Sequence, residues 1–95
     1  MKERIVSILT NELRYSEHVA DITADDLIKV QPQLQLVLQQ WLDTREIINF
    51  EIYGFSIKQL IEQRRYTFPS ALISMDWLLT EPDIAIKELS EEIRR

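Results

Sequence analysis

Cysteine is absent from the chain, which excludes disulfides, thiolate metal sites and cysteine nucleophiles. Glycine occurs once, at Gly54, and proline three times, at Pro32, Pro69 and Pro82. A β-rich domain needs more glycine for its tight turns, and glycine-rich phosphate loops need several in a row. Histidine also occurs once, at His18, and imidazole-built metal sites usually need more than one such ligand. No apolar run approaches the ~18 residues of a membrane span, and no basic segment precedes an apolar leader. The expectation is a soluble, cytoplasmic protein. Polybasic arms are missing too.

What is present is ordinary for a globular fold: 95 residues, 45% hydrophobic and 28% charged, with 11 basic against 16 acidic side chains and a net charge of −5. That length suits one domain spanning 1–95, with no linker and no internal repeat legible. Scarce glycine with abundant Leu, Ile, Gln, Glu and Arg favours helices. The pattern predicts an all-α chain, a compact irregular bundle of five to six short helices with one short extended segment near 47–53.

Apolar spacing places the elements. Ile5, Ile8, Leu9 and Leu13 predict a helix from Lys2 to Tyr15. Ser16 starts a short turn over 17–21. Thr23, with Asp26 three residues on and Ile22 and Leu27 as a staple, predicts a second, short helix ending before Pro32. Pro32 opens a third, to Asp43, on Leu34, Val37, Leu38 and Trp41. Ile48, Phe50 and Ile52 alternate like a strand without an evident partner, so this segment reads as an extended connection that turns at Gly54. Ser56 to Gln59 fits a capping box, starting a helix to about Arg65. Pro69 starts a helix through Leu79, and the last runs from Glu81 to Arg94. It has Ile86, Leu89 and Ile93 on one face, with Glu88, Glu91, Glu92, Lys87, Arg94 and Arg95 forming a solvated one. The expected core is Ile8, Leu9, Leu27, Leu38, Trp41, Leu60, Ile61, Leu72, Met75, Leu79 and Leu89, with 69–79 as the most buried helix.

That helix has two apolar faces. Advancing about 100° per residue, Ala71, Leu72, Met75, Leu78 and Leu79 share one arc, while Ile73 and Trp77 fall nearly opposite. Either the helix is central and buried all round, or Ile73 and Trp77 form a patch for a second chain. Asp76 lies on the boundary. Arg64, Arg65 and Tyr66 form the one local basic cluster, read as a helix C-terminus complementing its dipole or as a docking spot for an acidic partner.

Catalytic chemistry finds no support. Asp21, Asp25 and Asp26 fail the calcium-loop pattern, which puts Asp26 where glycine belongs and Pro32 where glutamate belongs. Ser16 and His18 are two residues apart with no nucleophile elbow. No catalytic residue, metal ligand or cofactor is assigned. The sequence points instead to a non-enzymatic protein–protein interaction module or regulator. It would engage a protein partner or a second copy of itself through Ile73, Trp77, Arg64, Arg65 and Tyr66, away from any membrane. The alternative is a helix-turn-helix nucleic-acid-binding regulator built from 56–65 and 69–79. Against it, the second helix carries no Arg, Lys, Asn or Gln to read bases, and the net charge opposes the phosphate term.

Overall fold

Hydroxyl caps fix where three of the helices begin. In the computed structural model, which describes residues 1–94, the order is α1 Lys2–Asn11, α2 Glu17–Ile28, α3 Pro32–Thr44, β1 Glu51–Ile52, β2 Phe55–Ser56, α4 Ile57–Arg64, α5 Phe68–Thr80 and α6 Pro82–Arg94. Helix accounts for 73% and the only strands among the described residues are these two, so the chain is all-α. The side chains of Ile93 and Arg94, and Arg95 entirely, lie outside the described residues. The chain divides into two compact units, 1–48 and 49–95.

In the first unit, α1 packs on α2. Ile5, Ile8, Leu9, Ala20, Ala24 and Leu27 are buried along the two helices. α2 is one uninterrupted helix rather than a turn followed by a Thr23-capped helix. Ser16 is its cap, accepting the Val19 N–H at 3.3 Å. The reason is the stripe Ala20, Ala24 and Leu27, which runs through Thr23 at helical spacing and outweighs the local start signal. Ile22, expected as a staple, is 48% exposed. α3 starts at Pro32 as expected and buries Leu34, Val37, Leu38, Trp41 and Leu42.

In the second unit, the extended segment does find a partner. Glu51 and Ile52 pair antiparallel with Ser56 and Phe55. The pair is joined by Tyr53 at φ 52° and Gly54 at φ 81°, the two positive angles of a type I′ hairpin turn. The partner was hidden because Phe55 and Ser56 also carry the start signal of α4. The Ser56 hydroxyl accepts the Gln59 N–H at 3.1 Å, and Asn49 Oδ1 accepts the Lys58 N–H at 3.0 Å. α5 begins one residue before Pro69, because Thr67 accepts the Ser70 N–H and takes the cap. It packs against α4 and α6 and buries Phe68, Pro69, Ala71, Leu72, Met75 and Leu78. Two expected core residues, Ile61 and Leu79, are only half-buried.

The two units close their first helix in the same way. In each, an arginine in the left-handed region follows the helix, Arg14 at φ 62° and Arg65 at φ 58°. The next N–H, of Tyr15 or Tyr66, returns to the carbonyl of Leu9 or Leu60 at 3.0 and 3.1 Å. The bond spans six residues, one more than the six-to-one bond of a Schellman motif, and closes around a left-handed residue in the same way. A hydroxyl cap, Ser16 or Thr67, comes next. Every one of these pairs is separated by 51 residues. The same spacing relates the buried residues Ala20 and Ala71, Ala24 and Met75, Leu27 and Leu78, Leu34 and Ala85, and Leu38 and Leu89. The expectation of no internal repeat is therefore corrected: positions 51 apart share caps and burial, and six of these pairs are identical residues.

Candidate functional site

A cleft of about 610 Å³ opens in the second unit, lined by Gln59, Gln63, Arg64, Tyr66 and Glu92. Ligand sites usually fall in the range of about 300–1,000 Å³. Helix α4 supplies Gln59 and Gln63 one turn apart, and Arg64 as its last residue. The left-handed turn at Arg65 directs the chain so that Tyr66 follows on the same wall, and α6 supplies Glu92.

Arg64 organises this wall. Its side chain is 12% exposed. Nη1 donates to the Leu89 carbonyl of α6 at 3.0 Å and stands 3.7 Å from Glu92 Oε2. The guanidinium carbon lies 5.3 Å from the centre of the Phe55 ring, a cation–π distance. Nη2 is buried and has no hydrogen-bond partner among the described residues. The Tyr66 hydroxyl donates to the same Glu92 oxygen. Burial, and then this bond to Glu92, push the Tyr66 phenol above its ordinary pKa.

The other expected site residues lie apart from this cleft. Arg65 is exposed at the left-handed C-cap of α4. Ile73, Trp77 and Asp76 are half-buried on α5, an environment between the two readings of that helix. Gln59, Gln63 and Glu92 were not expected here. Glu92 reads in sequence as one more charge on a solvated face, and only the fold reveals that α6 brings it to Arg64. Arg64 itself binds a carbonyl of α6, not those of its own helix end.

Four acidic residues of the first unit are held in ion pairs within it. Lys2 Nζ lies 3.0 Å from both Asp21 and Asp25, and those bonds raise the Lys2 pKa. Arg45 holds Glu12 in a two-pronged pair at 2.8 and 2.6 Å, and Arg4 holds Asp43 at 2.9 Å. Each arginine lowers the pKa of its carboxylate. No group of three or more metal-binding side chains comes together among the described residues, and no helix there is long and apolar enough to cross a membrane. Ser16 is used as a helix cap and His18 is exposed. No protein-family model matches the chain, and no curated protein or solved structure is significantly similar to it.

Proposed function

We propose that this chain is a non-enzymatic protein-interaction module acting in the cytoplasm, and that it docks a partner protein at the cleft of the second unit. The observation that carries the reading is the Arg64–Tyr66–Glu92 cluster on the wall of an open cleft. A partly compensated arginine beside a tyrosine is the residue chemistry enriched at binding hot spots. The neighbouring exposed Arg65 and the half-buried Ile73 and Trp77 are candidates for the rim of the contact.

Support for a helix-turn-helix regulator is weaker. α4, the connection 65–67 and α5 have the right lengths, but α5 offers no cationic or amide side chain to a base edge.

The test is co-purification with the tagged full chain after nuclease treatment, comparing wild type with Arg64→Ala and Trp77→Glu. A stoichiometric protein partner, retained after nuclease and lost with Arg64→Ala, is the expected result. A partner unaffected by Arg64→Ala refutes docking at the cleft. Partners lost on nuclease treatment refute the module reading in favour of nucleic-acid binding. If Trp77→Glu changes neither fold nor partner, Ile73 and Trp77 are not part of the contact.

A further inference from the structure

A buried guanidinium demands compensation, because its desolvation is repaid only by well-made bonds and close opposite charge. Arg64 has little of either. One carbonyl takes Nη1, the face of Phe55 lies alongside, Nη2 has no hydrogen-bond partner among the described residues, and the nearest carboxylate is 3.7 Å away. That carboxylate, Glu92, is 53% exposed and is fastened to the wall by the Tyr66 hydroxyl. The wall thus holds an excess of positive charge beside an exposed, exchangeable negative group.

The first unit shows that the framework does not require this arrangement. Counting back 51 residues, Arg64 corresponds to Leu13 and Glu92 to Trp41, which is 5% exposed. The equivalent positions there are apolar. The Arg64–Glu92 pair is specific to the second unit.

Building on the interaction-module reading, we infer that the Arg64–Tyr66 wall is a receptor for a glutamate side chain of the partner protein, and that Glu92 is its resident stand-in. The occupant is assigned as glutamate because the group already seated there is a glutamate carried on a helix. Gln59 and Gln63, one turn apart, offer amide donors and acceptors to the peptide backbone on either side of it. Binding exchanges one carboxylate for another, so the positive wall is never left bare and no net charge is buried. Glu92 sets a threshold, since a tethered competitor acts at an effective concentration of roughly millimolar or more.

The test titrates the full-length chain at low salt with N-acetylglutamate α-methylamide, following the Arg64 side-chain Nε–H and the Tyr66 amide by NMR. Glu92→Ala should bind this probe at least tenfold more tightly than wild type. The glutamine analogue should not bind, and adding Arg64→Ala should abolish the response. Should Glu92→Ala fail to fold, Glu92→Gln keeps the shape and removes the charge, and the same gain is expected. Equal affinity in wild type and variant overturns the stand-in role. No binding in either overturns the receptor. Tighter binding of N-acetylalanine, whose carboxylate mimics a chain terminus, overturns the assignment to a side chain. A failed probe titration alongside a captured protein partner removes this inference and leaves the module. A successful titration with no partner does the reverse.

Discussion

The left-handed arginines make a quantitative test of how this glycine-poor chain ends its helices. Arg14 and Arg65 sit at φ 62° and 58°. Both are exposed, and neither side chain makes a hydrogen bond or ion pair among the described residues. An L-residue in this region costs about 1–2 kcal/mol. Glycine removes that cost but adds freedom to the unfolded chain worth about 0.5–1 kcal/mol. Arg14→Gly and Arg65→Gly should therefore each stabilise by about 0.5–1 kcal/mol, raising Tm by about 2–8 °C. The two should add, since the closures share no partner. Gly54→Ala isolates the same term with opposite sign. The backbone there is at φ +81° and an added Cβ meets nothing within 4 Å, so the loss should again be about 0.5–1 kcal/mol. Arg45 provides the contrast. It shares the angle, φ 63°, but clamps Glu12, donates to the Trp41 and Leu42 carbonyls, and lies over the Trp41 ring. Arg45→Gly should therefore destabilise. The assay is urea unfolding followed by far-UV circular dichroism, comparing midpoints at unchanged m. If Arg14→Gly and Arg65→Gly both lower the midpoint, the conformational argument is wrong.

Further outcomes follow from caps, core and titrating groups. Ser56→Ala removes the cap of α4 and should cost about 1 kcal/mol by the same unfolding assay. Met75→Ala empties a fully buried position on α5 and should cost about 2–5 kcal/mol. Tyr66 has a raised pKa in the folded state. Its contribution to stability is present below about pH 10 and disappears as pH climbs through the raised folded value. Absorbance at 295 nm should show a late tyrosinate component that Tyr66→Phe removes. Glu12 and Asp43 have lowered pKa values. What they add is present above about pH 4 and lost as pH falls through the lowered values, and Arg45→Ala should shift the acid unfolding midpoint upward.

Helices were legible where local and long-range signals agree. Pro32 with Leu34, Leu38 and Trp41, and Ser56 with Gln59 and Leu60, mark α3 and α4 to within a residue or two. Where two start signals compete, as at Ser16 and Thr23, local chemistry alone does not choose, because the buried stripe along α2 decides. β2 was missed because the sequence of Phe55 and Ser56 serves a strand and a cap together. Two of the five residues lining the cleft were legible, as the Arg64–Tyr66 cluster. Glu92 was not, since a glutamate among glutamates gains meaning only from what α6 lies against. The 51-residue correspondence is carried in the sequence by identical pairs such as Arg14 and Arg65 or Tyr15 and Tyr66, but they are scattered among positions whose types differ, such as Ala24 against Met75 or Leu34 against Ala85.

The charged clamps between first and third helices bear on how the chain avoids misassembly. In the first unit the first-helix end is acidic and the third basic, Glu12 with Arg45; in the second the signs are reversed, Arg64 with Glu92. Tandem units built on one plan are prone to exchanging equivalent segments while folding. Here a third helix taken from the wrong unit would bring the Glu92 carboxylate to the place of buried Trp41 and leave Arg64 facing Trp41 with no carboxylate, a mismatch in both units. The different placement of the charged pairs thus disfavours exchange of the third helices between two units that share a plan.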